Sequence, residues 1–292
     1  MGLQVIINGI LMGGVFALVA VGLTMIHGVM KVVNFAQGDF LVVGLFLTYV
    51  FYHFLPGNSM PYWLILPVAS GMYIFGCIIF RLAINKVIGQ GDSNYILLTI
   101  GISFMIQNLL QLIFGADFRS IPVSDELRMG AWKFLGTLFP ISRTIAFLSA
   151  VAFVIFVNWF LTKTDIGRAM RATSENRVVA ESLGVRGGMV YITAFAIGTM
   201  FAGVSGLFLS PTQMIFPAAG APFGTVAMSA MVLGGLGNIK GAFIGGLVIG
   251  LVESFTSSYF SIALAPVATN FVLILVLIFK PYGILGTRRR TA

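Results

Sequence analysis

The chain has 292 residues, of which 58% are hydrophobic and only 9% charged, with a mean hydropathy of +1.01. Ordinary soluble domains are about a quarter charged, and no soluble core absorbs this much apolar surface, so the composition excludes a soluble enzyme or binding module. The formal net charge of +8 then marks topology in short loops and is not a nucleic-acid footprint.

A spanning helix needs about 20 mainly apolar residues, because every backbone polar group within the hydrocarbon must be bonded inside its own segment. The sequence predicts an all-α polytopic bundle of about eight to ten such segments. In chain order the apolar runs are Leu3 to His27, Phe35 to Leu55, Tyr62 to Phe80, Tyr95 to Phe114 and Thr144 to Leu161. They continue with Met189 to Leu209, Phe223 to Leu236, Ala242 to Ser258 and Pro266 to Phe279. The first run has no basic residue ahead of it and exceeds a signal-peptide core, so it is expected as a retained helix. The second opens with polar Gln37 and Asp39, and Phe223 to Leu236 is short and Gly-rich, so each reads as either a broken, re-entrant element or a full span.

Basic residues orient the bundle. Lys163, Arg168, Arg171, Arg177 and Arg186 crowd one loop, and Arg288, Arg289 and Arg290 crowd the C-terminus, which places both in the cytoplasm and the N-terminus outside. The whole chain, 1–292, is one transmembrane domain with a cytoplasmic loop at 163–188 and an ordered exterior loop at 115–142. One faint internal echo relates Asn34, Gly38, Phe40 and Gly44 to Asn238, Gly241, Phe243 and Gly246, and its slipped spacing gives it no weight.

The residues offer little catalytic chemistry. His27 and His53 lack a second ligand at helical spacing, no metal site can be built on the single Cys77, and no GxSxG or Gly-Lys-Ser/Thr phosphate loop occurs. No catalytic residue, metal or cofactor is therefore expected, and energy for transport must come from a partner or an ion gradient. Thirty-five glycines, with GxxxG matches at Gly246 to Gly250 and Gly237 to Gly241, point mainly to close helix packing.

Polar residues inside the membrane are costly, so they are the candidate path. Asn34, Gln37 and Asp39 head one apolar run. Thr99, Ser103, Gln107 and Gln111 repeat every four residues and share a helix stripe, beside Asn108, that lipid would penalise. Interhelical bonding and pore lining both explain that stripe. Glu253 is expected to bond nearby hydroxyls such as Ser254 or Thr256. The segments hold no paired cation and acceptor set for an amino acid, which predicts a weakly binding conduit with affinity set elsewhere.

In the cytoplasmic loop, Thr173 or Ser174 is expected to cap a short helix that Gly184 ends. Such a helix is marginal alone. With Val179 and Leu183 on one face and Arg177 and Glu181 on another, it would gain stability by docking on a cytosolic protein.

The sequence here resembles the shorter permease type of the branched-chain amino acid ABC importers over nearly its whole length. The matching residues are Asn34 to Asp39, Thr99 to Ser103 continuing to Gln107 and Asn108, Gly167 to Ala172, Ala180 to Gly184, Leu233 to Asn238 and Pro281 to Gly286. The resemblance implies a multi-pass inner-membrane permease and a coupling helix at Arg177, Ala180, Glu181, Ser182, Leu183 and Gly184. It also implies a second permease chain in a heterodimer, two ATP-binding subunits that hydrolyse the ATP, and a periplasmic binding protein. The family more often has His and Glu where this chain has Gln37 and Asp39, and Asn85-Lys86 replaces an Arg-Pro. Substrates such as urea, short amides or aromatic acids therefore stand beside branched-chain amino acids. An ion-gradient-driven secondary transporter is the runner-up, disfavoured by the scarcity of intramembrane charge.

Overall fold

The computed structural model describes residues 2–54, 61–121, 130–134 and 137–286. The arginines at 288–290, and Pro122, Asp125, Glu126 and Arg128 of the exterior loop, lie outside the described residues.

In order, the elements are α1 (Gly2–Met30), α2 (Gln37–Phe54), α3 (Ile65–Ile79) and α4 (Asp92–Phe114). A hairpin of β1 (Ala131–Phe134) and β2 (Thr137–Pro140) follows, then α5 (Ile141–Lys163), α6 (Asp165–Glu175) and α7 (Arg177–Ser182). The chain continues through α8 (Gly187–Leu209), α9 (Gly220–Gly234), α10 (Ile239–Tyr259) and α11 (Ala265–Phe279). A 3₁₀ turn at Pro61–Leu64 extends α3 at its start, and a π-helical turn at Phe80–Ile84 carries it on to Val87. Among the described residues, seven helices are long and apolar enough to cross a membrane: α1, extended α3, α4, α5, α8, α10 and α11.

The two ambiguous runs each form one continuous helix, of 18 and 15 residues, that begins inside the bundle. After α1 ends at Met30, residues 31–36 turn back without helix, and Gln37 in the first turn of α2 donates to the carbonyl of Gly198, the midpoint of α8, at 3.2 Å. On the other side residues 210–219 leave α8 and turn back before α9 begins at Gly220. A Cβ on Gly38 would overlap the Gly220 carbonyl, so the N-termini of α2 and α9 meet inside the bundle. Non-helical backbone at this depth is tolerated because protein surrounds it and supplies partners. Asn34 does so by accepting from the Ala36 amide through Oδ1 at 3.1 Å.

These contacts come in matched pairs. α1 packs against α10 and α9, and α8 packs against α3 and α2. Gly22 and Gly198 face each other, a Cβ on either standing 2.7 Å from the carbonyl of the other. The arrangement is that of inverted-topology halves, α1–α4 and α8–α11, joined by α5–α7. The faint echo at Asn238 to Gly246 does not follow this symmetry, because those residues open α10, the counterpart of α3 and not of α2.

Glycine makes the close approaches possible. Gly9 and Gly13 of α1 sit against the backbone of α10 at Leu251 and Leu247, each Cα 2.9 Å from where a Cβ would stand, and Gly246 and Gly250 face α1 in return. That GxxxG match packs within the subunit. The second one is not helical: Gly237 lies in a turn at φ 80°, and α10 begins only after Asn238. The last described residues strap this corner, with the Ile284 and Leu285 amides donating to the Leu233 and Gly234 carbonyls at 2.8 and 3.1 Å. Asn238 donates to the Leu285 carbonyl at 2.8 Å while its Oδ1 caps α10.

Candidate functional site

The polar residues at the head of α2 form one buried cluster. Asn34 and Gln37 are each 1% exposed and Asp39 is 3% exposed. Asn34 donates to Gln37 Oε1 at 3.4 Å, which holds the Gln37 amide toward α8. Asp39 lies in the first turn of α2 and next to the first residue of α9, so its carboxylate faces the positive ends of two helices. It accepts a third interaction from Gln107 Nε2 of α4 at 2.9 Å, and the Gln107 amide also lies 3.4 Å from Ser103 Oγ. An intramembrane carboxylate persists only with such partners.

The helical stripe of α4 divides. Ser103 and Gln107 are half-buried and join the Asp39 cluster. Thr99 is fully buried but donates to its own Ile96 carbonyl at 3.0 Å, and Gln111 and Asn108 are exposed. The structure thus brings Asn34, Gln37, Asp39, Ser103 and Gln107 together, with Thr99 one turn away. It also adds Gly38, which lies within the matching run Asn34 to Asp39, and Gly198 and Gly220, whose only signal was the abundance of small residues; their lack of a side chain lets three backbones converge. Glu253 lies elsewhere, in α10, and its expected partners are engaged: Ser254 donates to the Val5 carbonyl and Thr256 to the Val252 carbonyl, both at 2.8 Å.

The cytoplasmic loop folds as two helices. Thr164, not Thr173 or Ser174, caps the first, accepting from the Gly167 amide at 3.1 Å. Thr173 and Ser174 lie inside α6 and donate back to the carbonyls of Ala169 and Arg171. Asn176 caps α7 by accepting from the Val179 amide at 3.2 Å, and Gly184, at φ 89°, follows its end as expected. The sequence signal misled because two helices abut: the Ser/Thr pair that suits a first turn is equally at home in a last one.

Within α7 the helix turns only Ala180 inward. Val178 is 75%, Val179 52% and Leu183 79% exposed, an apolar tip facing away from the bundle. Arg177 pairs with Glu181 at 2.9 Å and stacks over the Tyr191 ring at 5.4 Å, which ties α7 to the start of α8. The carboxylate of Glu181 holds the Arg177 guanidinium above its ordinary range. Ser182 donates to the Val179 carbonyl.

A bundle of membrane-crossing helices, with the N-termini of two further helices meeting inside it and an apolar-tipped helix in a basic loop, defines a polytopic transport subunit. A family model described as the branched-chain amino acid transport system permease component matches residues 5–280, and the chain belongs to that family. The chain is 32% identical to the branched-chain amino acid permease protein LivH of Escherichia coli, over 97% of this chain and 95% of the relative. It is 29% identical to BraD of Pseudomonas aeruginosa over 97% and 95%, and 23% identical to LivM of Escherichia coli over 94% and 68%. No solved structure matches the chain. It is a multi-pass permease of the inner membrane and not an enzyme.

Proposed function

We propose that this permease carries branched-chain or related hydrophobic amino acids inward, through a path gated by Asn34, Gln37, Asp39, Thr99, Ser103 and Gln107. ATP hydrolysed by two partner subunits drives it through Arg177, Ala180, Glu181, Ser182, Leu183 and Gly184. A second permease chain completes the membrane unit; LivH and LivM, both relatives, are named as permease proteins of a branched-chain amino acid transport system in one organism. A periplasmic binding protein delivers the substrate.

The observation that carries the reading is the exposed tip of α7. A six-residue helix with Val178, Val179 and Leu183 turned away from its own bundle gains little from folding alone, and a protein surface that covers those side chains accounts for it. The test is reconstitution of all subunits in vesicles with a panel of substrates. Uptake of leucine, isoleucine or valine that needs ATP is expected; uptake confined to urea, short amides or aromatic acids would reassign the substrate.

The gate has its own test. With Cys77 replaced, cysteine at Gln37, Ser103 or Gln107 is expected to react with a water-soluble thiol reagent more in one nucleotide state than in another. The basis is a polar cluster, with Asn34, Gln37 and Asp39 closed to solvent and Ser103 and Gln107 half-buried, at the place where the N-termini of α2 and α9 meet. Inertness in every state would assign these residues to packing.

A further inference from the structure

On the outer face a groove of about 440 Å³ lies between the start of α1, the β1–β2 hairpin, the first turn of α5 and the turn that follows α8. Gln4, Asn8, Leu138, Arg143 and Thr212 line it. Gln4 builds it by imitating a neighbouring strand: its side-chain amide donates to the Leu138 carbonyl at 2.7 Å, and its Oε1 accepts from the Leu138 amide at 2.9 Å. Two directional bonds thereby fix the hairpin to α1 in one position.

The charge of this groove is one-sided. Arg143 lies in the first turn of α5, which holds no acidic residue, and a helix N-terminus is itself positive, so a cation there loses stability unless an anion answers it. Among the described residues none does: the ion pairs there are Arg168 with Asp165 and Arg177 with Glu181, both in the cytoplasmic loop, and no described acid lines the groove. Lys133 stands opposite Leu138 across the hairpin, so the two side chains share one face beside the groove. It is exposed and has no ion pair among the described residues either. Lipid headgroups do not account for this charge. α1 and α8 are the most enclosed of the spanning helices, and a groove lined by the start of one and by Thr212, just past the end of the other, opens over the middle of the bundle toward the exterior water.

A carboxylate carried on a protein surface suits the groove better than a free small anion. The Gln4 amide is engaged, which leaves the Arg143 guanidinium as the charged donor of the lining, and Leu138, 45% exposed, offers apolar contact beside it. We propose that this groove is the seat of the periplasmic binding protein, which sets one acidic side chain on Arg143 and a second near Lys133. A guanidinium facing a carboxylate gives such a contact direction as well as charge. The seat is joined through Gln4 to α1, the helix whose far end leads into Gln37 and Asp39. This rests on the binding-protein partnership proposed above and says where on the outer face it is made.

The complete permease and ATPase complex is placed in nanodiscs of phosphatidylcholine, with or without phosphatidylglycerol, and titrated with the importer's own substrate-loaded binding protein. Thermal melting checks that each variant is folded. Arg143→Glu is expected to weaken binding about tenfold or more in both kinds of nanodisc, as reversing one charge of a contacting pair does. Arg143→Lys keeps the charge but not the planar fork and is expected to lose less. Lys133→Glu alters an exposed side chain and leaves the packing alone, so it tests the seat even where Arg143→Glu assembles poorly; a loss of about threefold is expected. Added salt should weaken binding by the wild type more than by Arg143→Glu. Affinity unchanged in both charge-reversal variants, or weakened only where phosphatidylglycerol is present, would overturn the seat, and the second result would assign Arg143 to lipid headgroups. Absence of binding by the wild type in either nanodisc would overturn the partnership and the seat with it, whereas wild-type binding that ignores both substitutions overturns the seat alone.

Discussion

Leu183→Asp is expected to abolish transport while leaving the permease inserted and folded. Leu183 is 79% exposed just past the end of α7, so the substitution removes little contact within the chain and has little reason to disturb its packing. Under the proposed coupling role it places a carboxylate where an apolar side chain would meet the ATPase, and burying an unpaired charge costs several kcal/mol in practice. Uptake should fall to background, with ATP hydrolysis by the partner no longer answering to substrate. Val178→Ala is the milder companion and should reduce coupling in part. Normal uptake by Leu183→Asp, measured in vesicles with permease content checked by immunoblot, would show that α7 is not the docking element.

The second large effect is at the meeting of the half-helices. Gly38→Val is expected to destabilise the permease itself, because its Cβ would overlap the carbonyl of Gly220 and crowd the amide of Gly224, both backbone atoms that cannot rotate away. Overpacking a close-packed interior costs typically about 1–3 kcal/mol, occasionally more, and here the strain falls on the junction that also positions Asp39. The purified protein should melt at lower temperature in detergent and retain little transport. Gly188→Val is the control: no atom lies within 4 Å of its added Cβ, so only a small change should follow. Equal stability of the two variants would mean that α2 and α9 do not meet as described.

Much of the fold was legible because the membrane restricts the choices. Apolar runs of spanning length can only be helices there, and a run that opens with Gln37 and Asp39, or one as short as Phe223 to Leu236, has to be broken or shielded. The basic loop between α5 and α8 was equally plain, since charge marks the cytoplasmic side. Helix α7 ended where Gly184 indicated, a local matter of one left-handed residue.

Tertiary structure alone decided which polar residues share a site. Asp39 and Gln107 are 68 positions apart, and nothing in their own neighbourhoods says that α2 starts at the midpoint of α8 and faces α4. The stripe from Thr99 to Gln111 has one periodicity but three fates, because burial is set by which helix lies opposite each turn and not by spacing along α4. Inverted symmetry was hidden for the same reason. It is written in contacts such as Gly22 with Gly198 and Gly38 with Gly220, where the requirement is for the absence of a side chain, and a chain with 35 glycines gives no hint of which ones meet. By itself the sequence determined the membrane, the all-helical bundle and the basic loop between α5 and α8, all properties of contiguous residues. The polar cluster around Asp39 had to wait for long-range packing, which places groups that no local pattern connects.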